Sequence, residues 1–394
     1  MNKYLLFSFF GALAIIAVTV VFIGYGRGWR VNLENQAVSS TGLIVATSWP
    51  NGASIYVNGR FTSATNTTVT LAPATYDVKI LKDGYFPWEK KLTVLGELVT
   101  KADATLFPSL PQLSPMTHNG VSGPLLSPSG QKIVYSVSSS SAELLPLPPG
   151  KLTKVGLWLL DMNSGRQLGP FGNGQGNFQI AADIAGFRFN KAALMWAADE
   201  KSLMATVSGQ TYLLDTGKLN KPEQLVPLTS LEATQILADW EKETEAKEKE
   251  KLAGLPDLQA GRPEDIAKIA TSAAKILWSG DDGKLAIFDK PDKTGLSKVR
   301  VFDRKKEVFI KPIGADLSLP LNAVFLPEED FRHFVFEEKG AIKAVEVDGG
   351  NLTTLFAGKF SPGFFGLWPD GSRLLILTSL SGEPPQNFYS VNLR

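Results

Sequence analysis

The chain holds two histidines, His118 and His333. Proton transfer near neutral pH, or a histidine-ligated zinc, would have to begin with one of them. His118 lies in the turn-like Thr117-His118-Asn119-Gly120, and His333 in Phe331-Arg332-His333-Phe334-Val335-Phe336. Alternation puts His333 on a strand face shared with Phe331 and Val335. Both read as structural histidines. A Ser-His-Asp enzyme would need one of them, and no Gly-x-Ser-x-Gly elbow occurs. A three-ligand zinc site would need both histidines and a carboxylate, and the helical His-Glu-x-x-His spacing is absent.

The other chemical candidates are weaker. Gly172-Asn173-Gly174-Gln175-Gly176 has glycines enough for a phosphate loop, but no Lys-Ser/Thr follows and the spacing is not Gly-x-Gly-x-x-Gly. It reads as a flexible loop. The acidic clusters Asp281-Asp282 and Glu328-Glu329-Asp330 read as solvated turns, since neither has the spacing of a calcium loop. Two carboxylates facing each other could hydrolyse a glycoside, but nothing in the sequence picks out the pair. Cysteine is absent, which removes disulfides, thiolate metal sites, Fe–S clusters and cysteine nucleophiles. The expectation is a non-enzymatic protein with no catalytic, cofactor-binding or metal-ligating residues.

The 394 residues are 44% hydrophobic and 20% charged, with 36 Gly and 24 Pro. That composition suits two or three globular domains rich in turns. A net charge of +1 offers no broad basic face, so nucleic acid is not an expected partner.

The apolar run from Tyr4 to Ile23 carries no charge. A helix of this length reaches about 30 Å, one hydrocarbon thickness. A cleaved signal peptide would have a shorter core ending in a cleavage site of the Ala-x-Ala kind, whereas here the apolar run is longer and Gly24-Tyr25-Gly26-Arg27-Gly28-Trp29-Arg30 offers no Ala-x-Ala pattern. Tyr4, Tyr25 and Trp29 fall where interfacial aromatics belong. Residues 1–30 are thus expected to form a single-pass transmembrane anchor, with the bilayer as partner of residues 4–23. Lys3 on one flank and Arg27 and Arg30 on the other nearly balance. The expected orientation leaves the N-terminus inside and the bulk outside the cytoplasm.

Residues 31–41 are polar and aperiodic and read as a tether. From Gly42 onward the pattern becomes short alternating runs. Ser54-Ile55-Tyr56-Val57 leads into Asn58-Gly59, a strong hairpin signal. Tyr76, Val78 and Ile80 alternate with Asp77 and Lys79, and further strands are expected over 88–94 and 98–106. Together they predict a small β-sandwich. Trp49-Pro50-Asn51-Gly52-Ala53, Ile55-Tyr56-Val57-Asn58-Gly59, Ala72-Pro73-Ala74-Thr75-Tyr76 and Gly84-Tyr85-Phe86-Pro87-Trp88 follow in order, and residues 42–107 resemble the PEGA domain family, with Asn51 in place of its glutamate. The resemblance implies an accessory module of microbial envelope and surface proteins, with no enzymatic activity.

A Pro-rich joint, 108–115, precedes a weak repeat: an apolar strand, a polar turn, a second strand, then a strand ending in Asp. Its five countable copies begin near Leu126, Leu194, Leu277, Val324 and Gly366. The last copies are roughly 45 residues apart, the length of a four-stranded propeller blade. With turns such as Ser127-Pro128-Ser129-Gly130 and Trp368-Pro369-Asp370-Gly371, residues 108–394 resemble the WD40-like and TolB-like β-propeller families. Six or seven blades stay open if irregular segments pair. Trp196, Trp278 and Trp368 recur at copy starts and read as core residues. Residues 239–276 break the pattern: 239–251 and 263–276 predict a helical hairpin inserted between blades. It is either a solvated insertion or a partner-docking arm.

The fold expected is therefore mainly β: a transmembrane helix, a PEGA-like β-sandwich and a β-propeller-like domain with a helical insertion. The function expected is that of a membrane-anchored bacterial cell-envelope protein binding or scaffolding a protein or glycan partner on its propeller face. The alternatives are an envelope hydrolase or lyase with its site in the propeller channel, and a structural subunit of a membrane complex.

Overall fold

The computed structural model describes residues 3–26, 29–32, 37–138, 154–163, 176–183, 188–255, 266–380 and 384–394. The chain forms two compact units, Met1–Leu110 (joined by Arg394) and Pro111–Leu393.

The first unit opens with helix α1, Lys3–Gly26. Its described side chains are exposed from Ser8 to Ile23, and Phe9, Phe10, Ile15, Val21 and Phe22 are each more than half exposed. The Thr19 hydroxyl donates to the Ile15 carbonyl at 2.7 Å. Among the described residues, no helix is long and apolar enough to cross a membrane.

Strands β1 (Trp29–Asn32) and β2 (Ala37–Ser40) then pair antiparallel, with Val31 opposite Val38. The stretch read as an irregular tether, 31–41, thus contains most of a two-stranded ribbon. Its apolar content is so low that pairing, not patterning, makes the strands.

Seven strands follow: β3 (Gly42–Trp49), β4 (Ser54–Val57), β5 (Arg60–Ala64), β6 (Thr67–Leu71), β7 (Ala74–Leu81), β8 (Trp88–Val94) and β9 (Val99–Thr105). They form two sheets, ordered β6-β3-β9 and β5-β4-β7-β8, in which only β3 and β9 run parallel. Alternation delivers one face of each strand to a shared core of Ile44, Ile55, Val57, Val78, Ile80, Trp88 and Val94. Burying one such side chain contributes about 1.5–3 kcal/mol. Asn58 and Gly59 both have positive φ, 48° and 76°, as a two-residue hairpin turn demands. At Gly42 a side chain would meet the Leu95 carbonyl oxygen at 2.2 Å, so glycine is required where β3 enters the sandwich.

The second unit begins with β10 (Leu113–Pro115), then β11 (Ser122–Leu126), β12 (Lys132–Val137), β13 (Gly156–Asp161) and β14 (Asn177–Ala182). Strands β15 (Ala193–Trp196), β16 (Ser202–Val207) and β17 (Gln210–Asp215) lead to helices α2 (Ser230–Ala253) and α3 (Ile266–Ser272). After them come β18 (Lys275–Trp278), β19 (Lys284–Phe288), β20 (Leu296–Asp303), β21 (Val308–Phe309) and β22 (Ser318–Pro320). The unit ends with β23 (Val324–Phe325), β24 (His333–Glu338), β25 (Ala341–Glu346), β26 (Thr353–Ala357), β27 (Phe365–Leu367), β28 (Arg373–Thr378) and β29 (Asn387–Asn392).

Among the described residues these strands make five antiparallel sheets: β11-β12-β13-β14, β15-β16-β17, β18-β19-β20 with β21 and β22, β23-β24-β25-β26, and β27-β28-β29. The last sheet is completed by β10, whose Leu113 lies opposite Val391. Neighbouring sheets share cores. Leu157 and Ile180 of the first pack with Leu203 and Tyr212 of the second. Phe288 and Val301 of the third pack with Phe325 and Phe334 of the fourth. Leu375 and Phe388 of the fifth pack with Ile133 and Tyr135 of the first. Successive meanders that share cores, the last one closed by the unit's first strand, make a β-propeller. Each countable copy of the repeat corresponds to one sheet, giving five blades among the described residues.

The insertion differs from its expected limits. α2 starts at Ser230 rather than 239, with Thr229 and Glu232 forming a reciprocal capping box. α3 stops at Ser272, because Lys275–Trp278 pairs with β19, Ile276 opposite Ile287. Sheet pairing overrides the helical pattern there. Residues 263–265 lie outside the described residues.

Phe334 is fully buried between blades three and four, stacked on Phe325 at 4.5 Å and edge-on to Phe288 at 6.3 Å. Phe334→Ala should destabilise the propeller by about 3–5 kcal/mol, read as a lower denaturant midpoint.

Candidate functional site: a cavity walled by the blade turns

In each blade the innermost strand ends in a turn, and the residue opening the second strand is polar or cationic. Backbone hydrogen bonds close these turns from Ser127 to Lys132, Ala197 to Ser202, Ser279 to Lys284, Leu326 to His333 and Trp368 to Arg373, at 2.8–3.0 Å. Cross-strand partners of those second-strand residues are Asp161, Asp215, Asp303, Glu346 and Asn392 in turn. In blades one and three an acid therefore sits opposite a lysine, Asp161 opposite Lys132 and Asp303 opposite Lys284. The strand-end aspartates also cap the turns that follow: Asp161 accepts from the Asn163 N–H at 2.9 Å, Asp215 from Gly217 at 2.8 Å and Asp303 from Lys306 at 3.1 Å.

The cations tie adjacent blades together. Lys132 Nζ donates to the Glu200 carbonyl at 3.2 Å, while the Glu200 carboxylate accepts from the Ser129 hydroxyl at 3.0 Å. Lys284, with its side chain 6% exposed, reaches the Asp330 carbonyl and pairs with the Asp330 carboxylate at 3.1 Å. Lys275 donates to the Leu321 and Ala323 carbonyls at 2.8 and 2.9 Å, and burial lowers its pKa.

Turns and inner strands of blades one, three, four and five surround a cavity of about 850 Å³. Pro128, Pro327 and Pro369 occupy the same turn position in three blades, and Trp278, Phe331, Phe364 and Leu367 supply further apolar wall. The carboxylate, serine and amide groups of the wall are engaged within the protein, whereas the buried Trp278 indole N–H has no hydrogen-bond partner among the described residues. Ser279 donates to Asp281 at 2.7 Å, Asn322 to the Glu337 carbonyl at 3.2 Å, and Asp282 pairs with Lys251 at 2.7 Å. Asp282 is the one carboxylate among the described lining residues.

Lys251 belongs to the last turn of α2 and lies 5.9 Å from the Trp278 ring centre. Arg304 donates to the Gly254 carbonyl at 2.7 Å, so the foot of α2 is clamped to two turns of blade three. Leu252, Leu255, Ile266 and Ala270 pack there on Leu285, Ile287 and Phe302. Ala233, Ile236, Leu237 and Trp240 are half-buried, whereas residues 241–251 are exposed.

The residues singled out in sequence are scattered. His118 is exposed in a bend. His333 is buried at the start of β24, its Nδ1 against the Glu328 carboxylate, and neither lines the cavity. Glu328 is therefore no solvated turn residue, while Glu329 and Asp330 are exposed. Trp196 and Trp368 are buried in the blade cores, but half-buried Trp278 also lines the cavity. Gly172 to Gln175 lie outside the described residues. Among the described residues, no group of three or more His, Asp or Glu is placed to hold a metal ion. Pro128, Pro327 and Pro369 stand at equivalent places of the repeat, a pattern present in the sequence.

The fold is thus mainly β, a β-sandwich followed, among the described residues, by five propeller-like sheets. The family model for the PEGA domain matches residues 41–109, the sandwich. No curated protein sequence matches the chain. Among solved structures, TolB from Acinetobacter baumannii aligns over 86% of this chain and 63% of its own, at 13% identity and a TM-score of 0.18. This chain thus spans less than two thirds of that protein's length. An oligogalacturonate lyase in complex with manganese aligns over 90% and 91%, at 9% identity and a TM-score of 0.23. An auxiliary nutrient binding protein from Bacteroides thetaiotaomicron aligns over 86% and 90%, at 10% identity and a TM-score of 0.26. At such scores the strand order of this chain, and not those likenesses, carries the fold.

Two expectations follow from the cavity rim. Partial burial acts to raise the Asp281 carboxyl, but the Ser279 hydroxyl, the Gly283 N–H and Lys305 outweigh it and hold it down to about 2. Its folded pKa is depressed, so its contribution to stability is present above about pH 4 and lost as pH falls through about 2. Acid titration of Asp281→Asn should show a shallower loss of stability across that window than the parent. Lys251→Ala should speed amide hydrogen exchange at the end of α2 while changing global stability by less than about 1 kcal/mol, as for an exposed pair.

Proposed function

We propose that this chain is a membrane-tethered, non-enzymatic protein of the bacterial cell envelope whose propeller binds a protein partner at the cavity. The observation that carries the reading is the cavity's chemistry: a largely apolar wall whose carboxylate and serine hydroxyls are already paired within the protein, with the Trp278 indole N–H as an unpaired donor. An apolar stretch of polypeptide gains by entering such a site, whereas a glycan would lose hydroxyl hydration with little hydrogen bonding in return. A hydrolase or lyase would need converging carboxylates, and Asp282 is held by Lys251.

The tether reading rests on α1, whose described apolar side chains face solvent all round. A helix of that kind is stable within a large core or a bilayer. The proposed span is residues 4–23, with the bulk of the chain outside the cytoplasm. The PEGA match agrees with an accessory envelope module. A second reading, a structural subunit of a membrane complex, is favoured by α2, which stands exposed over residues 241–251.

A photoreactive residue in place of Pro128, which is exposed at the rim, should cross-link a discrete protein in intact cells. Pro128→Arg should weaken capture of that protein by about tenfold, a loss of roughly 1.4 kcal/mol. Cross-linking no greater than from Thr354 on β26 would sink the cavity as the binding site. Removing residues 1–30 should release the remainder into the aqueous fraction, and its retention in membranes would refute the tether.

A further inference from the structure

The β-sandwich carries a second concavity, separate from the propeller and independent of the function proposed for it. The inner face of the sheet β5-β4-β7-β8 is buried. On its outer side Tyr56, Asp77, Lys79, Glu89 and Lys91, with Lys90 and the Gly59 turn, line a groove of about 710 Å³, and Phe61, opposite Tyr56, stands beside it. Strand register sets the pattern. Tyr56 lies opposite Phe61 on one side and Lys79 on the other, Lys79 opposite Glu89, and Asp77 opposite Lys91. Phe61 is 63% exposed on a strand whose side chains are otherwise small or polar, and it meets the Tyr56 ring edge-on, centroids 5.8 Å apart at 72°. Two aromatic surfaces thus stand at one end of a ladder of charges.

The Asp77, Lys79, Glu89 and Lys91 charges pair off, and Lys90, which also lines the groove, has its Nζ over the Trp88 ring, 5.7 Å from the centroid. Lys79 and Glu89 are 2.7 Å apart, and Lys91 and Asp77 3.8 Å. The field over the groove is therefore weak, so a polyanion gains little steering or counterion release there. Paired ammonium and carboxylate groups still offer donors and acceptors side by side, which is what a row of hydroxyls requires. Exposed aromatic faces suit the C–H surface of a pyranose ring, since they bury apolar area with few rotors to freeze.

We propose that this face of the sandwich binds a neutral polysaccharide, with Phe61 and Tyr56 as the stacking platform and the Lys79–Glu89 and Asp77–Lys91 pairs as hydroxyl partners. The bland alternative is a solvated sheet face on which Phe61 merely covers Tyr56. The two differ in what removal of the Phe61 ring does to binding.

The test is retention of the full-length protein, in detergent, on insoluble cellulose and on chitin, with dextran sulfate and anionic phospholipid vesicles as comparators. Retention on at least one neutral polysaccharide is expected, persisting in about 0.5 M salt, where exposed charges are screened. Phe61→Ala should weaken it by at least about fivefold, and Phe61→Trp should restore it. Because Phe61 is exposed, both variants should melt with the parent, separating lost binding from lost fold. No retention on either neutral polymer, equal retention of Phe61→Ala, or salt-sensitive retention on dextran sulfate or vesicles alone would each overturn the proposal.

Discussion

A β-sheet with two apolar faces needs a neighbour on both sides, and a row of such sheets satisfies that need only by closing on itself. In the Pro111–Leu393 unit closure depends on three residues. Leu113–Pro115 leave the start of the unit and take the outer edge of the last sheet, against β29. The shared cores on either side of blade one, and the cavity that the inner turns surround, presuppose that the first and last sheets are held in register. The strand is short, but pairing across the whole length of the unit makes it count. The same seam continues beyond the strand: the Thr117 hydroxyl accepts from the Phe388 N–H at 2.9 Å, and the Met116 and Val121 N–H groups donate to the Phe388 and Gln386 carbonyls at 2.8 Å.

The interblade lysines follow from this architecture. A turn at the end of an inner strand exposes carbonyls towards the next blade, and a long cationic side chain at the start of a second strand can reach them. Lys132 and Lys284 do so, making charge-assisted bonds in partly water-excluded surroundings, and Lys275, at the start of an inner strand, reaches the Leu321 and Ala323 carbonyls in the same way. The acids opposite Lys132 and Lys284 cap turns in their own blades. What reads in the sequence as a recurring Asp at a strand end is therefore part of the fold's fastening and not a reactive group.

Much of the fold could be read in advance because it rests on local patterning. Asn58-Gly59 set a hairpin, Val78 and Ile80 alternated into the sandwich core, and each of the five repeat copies became one sheet. What escaped depended on non-local contact. β5 and β6, RFTSA and TTVTL, are too polar to announce themselves and are strands because β4 and β3 pair with them. The parallel contact of β3 with β9 joins segments more than fifty residues apart, for which no periodicity exists. Thr229 and Glu232 did carry a readable capping signal, but the β-branched Thr234 and Ile236 that follow obscured the helix start. Burial of Glu328 against His333 was hidden for another reason: an acidic triplet suggests solvent until its first member turns inward. The cavity itself was legible only as a repeat of prolines, whose convergence is a property of the ring.

Helix α2 has 24 residues and so extends about 36 Å, with residues 241–250, its second half before Lys251, exposed to solvent. An isolated helix of that kind is marginal in water. Here its winding is helped by the Thr229–Glu232 cap, the Glu243–Lys247 pair at 2.7 Å and the clamped foot. All of these but the foot's apolar packing are electrostatic or polar, so the rod's stiffness is tuned by ionic strength to a degree that the sheets, held by apolar burial, are not. In dilute medium it is a strut; in brine its middle frays while the ring beneath keeps its shape.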